Sequence, residues 1–214
     1  MLIQGQVGQP TTTSIAAGTT PAIRQGQLGD VVVSELHGRY YETTYRRNMY
    51  TAALTAGTTT SAALSTTNTG LLLLNPSYSQ FNLVLNKVGF SFLVAFTAAA
   101  AIGLQAGTQS TAALSGLTTT NTQTKSNYIG LGTIGTTQGS ALTYSAATTT
   151  APWLQCVFGA GLTGAITTAP GIYSYFDIEG GIIIPPGAWV STYTSTASGA
   201  SGTLASFTYE EVPL

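Results

Sequence analysis

Charged side chains are scarce in this chain. Its 214 residues include six Lys or Arg and seven Asp or Glu, so 6% are charged and the formal net charge is −1. Typical soluble domains have about 25% charged residues. So low a charge is typical of membrane proteins, aggregation-prone chains, and subunits largely covered by other subunits. A net charge near zero favours association, and the missing basic stripe predicts no nucleic-acid partner. We therefore expect a subunit covered by other subunits.

Long hydrophobic runs are also missing. The most apolar run, Phe90 to Leu104, is shorter than the ~20 residues that a membrane-spanning helix needs, and its aromatic start favours a buried strand. The first ten residues, MLIQGQVGQP, lack a basic segment followed by an apolar one, so no secretory signal is expected. The sequence thus predicts no membrane partner.

Cysteine and histidine occur once each, as Cys156 and His37. A single cysteine excludes an intramolecular disulfide, and its apolar context, WLQCVF, predicts an inert buried thiol. No second histidine exists to act as a distant base. No nucleophile elbow, Walker A or Rossmann motif occurs, and GLGTIG at 130–135 lacks the required spacing. These absences predict no enzyme, no catalytic residue and no cofactor.

Two pairs of ionisable residues have a spacing that would suit metal binding or acid–base catalysis. Glu35 with His37, and Asp177 with Glu179, are two residues apart, so on strands each pair leaves the same face. Neighbouring strands could bring these groups together around a metal, but no recognised ligand motif is present and solvent-facing positions are favoured. Asp177 with Glu179 is also a weakly supported glycosidase pair. Hence no metal site is expected.

Two further pairs are candidates for sugar chemistry. Glu210 and Glu211 are adjacent, and adjacent residues on a strand point to opposite faces, which argues against a glycosidase pair. Trp153 and Trp189 could form a sugar-stacking platform, although their apolar surroundings favour core positions.

The sequence instead contains a repeated β pattern. Short β-branched or aromatic runs alternate with loops of Thr, Ser, Gly and Ala, and no helix-length amphipathic segment occurs. Turn signals about every ten residues predict an all-β antiparallel sandwich, jelly-roll-like, or a closed barrel. Residues 1–29 lack a core-forming pattern and are expected to be a flexible arm that orders on a neighbour, leaving 30–214 as one β-sandwich domain. The predicted strands are 30–36, 40–46, 71–74, 81–97, 128–134, 141–144, 153–158, 172–184, 188–194 and 204–212. Gly89, within 81–97, is expected to mark a bulge, and 106–124 is predicted to be a loop.

Charge is concentrated between residues 30 and 50, DVVVSELHGRYYETTYRRNMY, which hold six charged side chains and four of the eleven tyrosines. Glu42 and Arg46 have helical i, i+4 spacing, but the Thr43–Thr44 pair favours extended chain. Since Arg and Tyr dominate interface hot spots, a set of four residues is predicted to contact another subunit. The alternative is a solvated pair of polar strands. The predicted interface residues are Arg39, Tyr41, Arg46 and Arg47.

The segment IIIPPGAWV at 182–190 is predicted to form a core hairpin. Alternation along a strand places Ile182 and Ile184 on one side and Ile183 on the other. Pro fixes φ in the turn, and Gly187 supplies the positive φ.

Three segments resemble virion proteins of tailed bacteriophages, and the nearest functional class is the head decoration, or cement, proteins. They are GDVVVSELHGRYYETTYRRNMY (29–50), FDIEGGIIIPPGAWV (176–190) and YEEVPL (209–214). The resemblance implies a β-sandwich or jelly roll that forms homotrimers on the capsid surface. It also implies a structural role, with the major capsid protein as partner and assembly in the host cytoplasm. A tail or baseplate module that binds a receptor or glycan is the alternative.

Overall fold

The structure, a computed structural model, describes residues 5–7, 23–25, 38–94, 96, 98–109, 114–129, 141–161 and 173–214. The chain forms two compact units, residues 1–41 and 42–214. Within the first unit, strands β1 (Gly5–Val7) and β2 (Ile23–Gln25) pair in parallel. Most of the predicted arm, the predicted strand 30–36 with Glu35 and His37, and the segment 130–135 lie outside the described residues.

The second unit contains two antiparallel sheets. The six-stranded sheet has the order β10-β6-β12-β4-β9-β7, and the five-stranded sheet has the order β11-β5-β13-β3-β8. This arrangement confirms the predicted all-β sandwich. The strands are β3 (Met49–Leu54), β4 (Thr67–Asn75), β5 (Phe81–Phe92), β6 (Ala100–Thr108), β7 (Ser115–Thr118), β8 (Thr122–Ser126), β9 (Leu142–Thr148), β10 (Trp153–Gly161), β11 (Tyr173–Ile184), β12 (Ala188–Thr194) and β13 (Thr203–Pro213).

The main core lies between the sheets and follows from period-two alternation. Along β13, Ala205, Phe207 and Tyr209 are buried and the residues between them are only partly so. The six-stranded sheet also buries its other face at the centre, where Leu72 and Trp189 belong to a second cluster. Burial on both faces explains the unbroken run of leucines at 71–74, all within β4.

One side chain joins two of the corners at which the chain passes from one sheet to the other. The Asn75 side chain is fully buried and donates hydrogen bonds to the carbonyls of Phe81 (2.8 Å) and Ile184 (2.9 Å). The backbone carbonyl of Asn75 accepts from the Gly187 N–H at 2.8 Å. Asn75 therefore fixes the corner after β4 and the corner before β12 at the same time.

The segment IIIPPGAWV is such a corner, so the predicted hairpin is wrong. Its two strands, β11 and β12, belong to different sheets. The rest of that prediction is confirmed: Ile184 is buried, Ile182 packs against the core, Ile183 is 58% exposed, and Gly187 has φ 82°. Pro185, Pro186 and Gly187 predicted the turn correctly, but the sequence did not indicate which strand each of the two strands pairs with.

Three further predictions were wrong. The segment 40–46 is not extended, because it contains helix α1 (Tyr41–Tyr45). The break in regular pairing on β5 opposite β13 falls at Asn86, between its neighbours Leu85 and Lys87, and not at Gly89. The segment 106–124, predicted as a loop, contains β7 and the start of β8. Pairing between distant segments decided the second and third cases, whereas α1 follows the helical spacing of Glu42 and Arg46.

Candidate interaction site

The predicted interface residues Arg46 and Arg47 lie in the turn that ends α1. The Asn48 N–H donates to the Thr43 carbonyl (3.0 Å) and the Arg47 N–H donates to the Thr44 carbonyl (2.9 Å). This pair of bonds is a Schellman motif, which needs a left-handed residue at the position that Arg47 occupies. Arg47 has φ 64°. A helix end, rather than a strand, thus presents both arginines to solvent.

The Arg47 guanidinium lies over an aromatic ring from a distant part of the chain. Its Cζ is 5.7 Å from the centroid of the Tyr128 ring, and the Tyr45 ring meets Tyr128 edge-on at 6.2 Å. A cation–π contact at an exposed site contributes about 0.5–1 kcal/mol. Arg47, Tyr45 and Tyr128 therefore form one cluster that holds the guanidinium in a defined place.

Tyr128 was not among the predicted interface residues. It reaches the cluster because the Asn127 N–H donates to the Met49 carbonyl (3.0 Å), which extends the pairing of β3 and β8 past the strand end. The Tyr128 N–H donates to the Ser126 hydroxyl (3.2 Å) and fixes the turn. No spacing rule in the sequence connects Tyr128 with Arg47, since the contact follows from strand pairing alone.

Arg39 and Tyr41 belong to the first compact unit. The Arg39 guanidinium carbon is 5.6 Å from the centroid of the Tyr40 ring. Tyr41 begins α1, its N–H donates to the Gly38 carbonyl (2.9 Å), and 45% of its surface is exposed. Both predicted residues are thus accessible, Arg39 as an exposed cation beside a ring and Tyr41 as an exposed ring.

The candidate carboxylates Asp177 and Glu179 both lie exposed on β11. Asp177 is the register partner of Lys87, whose Nζ is 5.4 Å from the centroid of the Tyr175 ring. Regular pairing ends after Asp177, where Glu179 has φ 53°. Across the described ranges, no three His, Cys, Asp or Glu residues lie close enough together to hold a metal ion.

Cys156, predicted to be a buried thiol, is half-buried on β10. Burial raises the pKa of this thiol, and a backbone hydrogen bond from Leu104 opposes that rise. A raised pKa lowers the fraction of thiolate, which is the reactive form of cysteine.

The candidate pairs for sugar chemistry separate in the structure. Trp189 is buried, whereas Trp153 is 47% exposed, so its predicted core position is wrong. Trp153 pairs with Ala106, which pairs with Val190, so Trp153 and Trp189 leave opposite faces of the sheet and form no platform.

A scan against protein-family models finds no match, and searches of curated proteins and of solved structures find none either. Within the described part of the chain, no helix is long and apolar enough to cross a membrane.

Proposed function

We propose that this protein is a structural virion subunit of a tailed bacteriophage: a head decoration, or cement, protein that stabilises the capsid lattice through protein–protein contacts. It assembles in the host cytoplasm and sits on the capsid surface as a homotrimer bound to the major capsid protein. In this role affinity comes from contact area, without catalysis, cofactor or metal.

The observation that carries the proposal is the exposed cluster of Arg47, Tyr45 and Tyr128, with Arg46 beside it, on a charge-poor sandwich. Tyr and Arg are the residues that most often dominate binding energy at interfaces. A guanidinium already held over a ring loses less side-chain freedom when a partner binds. The resemblance of residues 29–50 to phage virion proteins supports the same role for this part of the chain.

The test is a double variant, Arg46→Ala with Arg47→Gly, scored for incorporation into phage particles and for fold by circular dichroism. Glycine at position 47 keeps the left-handed turn, so a loss of incorporation reports the lost side chains. Lys87→Ala is the matched control, because it removes a cation that also lies over a tyrosine ring, Tyr175. We expect lost incorporation with an intact fold for the double variant and normal incorporation for the control. Normal incorporation of both would refute the interface.

A second candidate function is a tail or baseplate module that binds a receptor or glycan. It is favoured by a shallow groove of about 260 Å³ on the five-stranded sheet, lined by Tyr175, Gly89, Ser91, Leu204 and Ser206 among others. A Cβ at Gly89 would lie 2.7 Å from Ser206 Oγ, so a larger residue would fill the groove floor. An aromatic ring beside hydroxyl groups suits a sugar.

The glycan candidate is tested by screening the protein against an oligosaccharide array, with Tyr175→Ala and Gly89→Val as variants. Specific binding that both variants lose, together with a copy number matching the tail, would replace the head assignment. Absence of binding together with a copy number matching the head lattice would support the decoration protein.

A further inference from the structure

One side of the sandwich, formed by the edge strands β10 and β11, has an apolar surface; we name it the β10–β11 flank. Among the described residues, β10 pairs with β6 alone and β11 with β5 alone. Three side chains of β10, Trp153, Leu154 and Val157, are between 42% and 52% exposed. On β11, Ile183 is 58% exposed. Apolar side chains are thus exposed on both strands of the flank.

The core beneath this flank is incompletely covered. The Phe158 ring of β10 stacks on the Phe176 ring of β11 with centroids 4.2 Å apart, which closes the two sheets over each other. Both rings are nevertheless only half-buried, and so are other core-facing side chains of the two strands, namely Cys156, Ile178 and Ile182. A partner on this flank would complete their burial, at about 25 cal/mol per Å² of apolar surface removed from water.

The chemistry of β10, the more apolar strand of the flank, indicates an uncharged partner. Strand β10, WLQCVFGAG, contains no charged residue, and it has no proline to protect its edge. Nucleic acid or a strongly charged protein would find no ionic group to pair with on β10. A second copy of the chain presents the same neutral apolar strand, so no charge of β10 loses its hydration when two β10 strands meet. The exposed carboxylates of the flank, Asp177 and Glu179, both lie on β11, and a contact centred on β10 leaves them at its rim, in water.

We infer that copies of this chain associate through the β10–β11 flank. This rests on the self-association in the proposed function and assigns it to particular residues. Pairing with β6 is irregular between Leu154 and Cys156 and between Val157 and Gly159. These bulges interrupt the even spacing of the edge groups of β10, so side-chain packing makes the contact, rather than a continuous ladder of backbone hydrogen bonds. The capsid contact lies elsewhere, at Arg46 and Arg47.

The test compares two lysine substitutions at edge strands of the same sheet. Val157→Lys places a charge on β10 at a position 52% exposed, and Leu117→Lys places one on β7 at a position 44% exposed. Self-association of the isolated full-length chain is measured by sedimentation over a range of concentrations, with thermal unfolding as the check on the fold. We expect Val157→Lys to weaken association by about 100-fold and Leu117→Lys to leave it within about threefold, because only the first charge would be buried.

Three outcomes would overturn the inference: a monomeric wild type at high concentration, wild-type association by Val157→Lys, or equal losses from both substitutions. If Val157→Lys does not fold, Ile183→Lys on β11 replaces it with the same expected loss. Because the sedimentation measurement contains no capsid, it tests self-association separately from incorporation into particles. Either result can therefore be negative while the other is positive.

Discussion

The two flanks of the sandwich differ in the length of their strands and in the polarity of their exposed side chains. The β10–β11 flank is formed by strands of nine and twelve residues, and its exposed side chains include Trp153, Val157 and Ile183. The opposite flank is formed by β7 and β8, of four and five residues, whose side chains are mostly Thr, Ser, Gln and Lys. There, side chains meet through hydroxyl groups, as between Thr124 and Thr143 (3.3 Å).

This difference gives one charge-poor chain two kinds of surface. Hydroxyl-rich edges can remain hydrated, so the β7–β8 flank does not need a partner to bury it. The chain beyond β8 places Tyr128 beside Arg47. Binding of a partner that removes the apolar flank from water is favourable, because it buries apolar surface. The predictions below probe this contrast in order of decreasing effect.

The largest effect is expected at the inner side of β11. Ile184→Ala should lower the free energy of unfolding by about 2–5 kcal/mol, because it leaves a cavity in the main core. Ile183→Ala, at the exposed neighbouring position, should change it by no more than about 0.5 kcal/mol in the monomer. Urea denaturation of both variants makes the measurement. Similar losses of stability at both positions would contradict the assignment of Ile184 to the core and Ile183 to the exposed face of β11.

The two flanks should differ in their contributions to stability. Phe158→Ala should cost about 2–3 kcal/mol, since it removes a half-buried ring and its stack on Phe176. On the other flank, Thr124→Ala should cost less than about 1 kcal/mol, because it removes one partly exposed hydrogen bond to Thr143. Thermal and urea unfolding measure both. Equal costs would contradict the asymmetry of the flanks.

A smaller effect is expected at the turn after α1. Arg47→Gly should be more stable than Arg47→Ala by about 1 kcal/mol, because an L-residue with a Cβ is strained at φ 64° and glycine is not. Both variants lose the contact with Tyr128, so their difference isolates the backbone term. Chemical denaturation compares them, and an alanine variant as stable as the glycine variant would argue against the left-handed turn.

The smallest effect concerns Glu210 on β13, which lies between the flanks. Burial raises the pKa of this carboxyl, so the folded state holds its proton more tightly than the unfolded chain. The folded state therefore loses stability as pH rises from the ordinary glutamate pKa to the raised one. Glu210→Gln should remove that loss, so its melting temperature should fall less over this range. Melting curves that run parallel in both proteins at every pH would count against it.

Several parts of the fold could be predicted from sequence because they depend on neighbours along the chain. Alternation decided which isoleucines of β11 face the core, and Pro-Pro-Gly fixed a turn with φ 82° at Gly187. Short β-branched or aromatic runs separated by turn signals predicted the all-β sandwich, and two antiparallel sheets are present. For the site, the concentration of charge at 30–50 predicted a subunit contact at Arg46 and Arg47; both side chains are exposed, and the contact stays a prediction.

The rest could not be predicted, because it depends on contacts between residues far apart in the chain. The segment at 40–46 is a separate case: its local signals conflict, since helical spacing stands beside β-prone residues, and α1 formed. Trp153 and Trp189 have similar apolar surroundings in sequence, yet one lies on an edge strand and the other on a central strand.

The sequence by itself determined local matters: which side chains alternate inward, where turns occur, and how little charge the chain carries. These follow from backbone geometry within a few residues. Tertiary structure alone decided that β11 and β12 join different sheets, that Tyr128 lies beside Arg47, and that the apolar strand β10 is at an edge. Strand order decides these features because it depends on pairing between segments separated by tens of residues, where no local pattern records the partner.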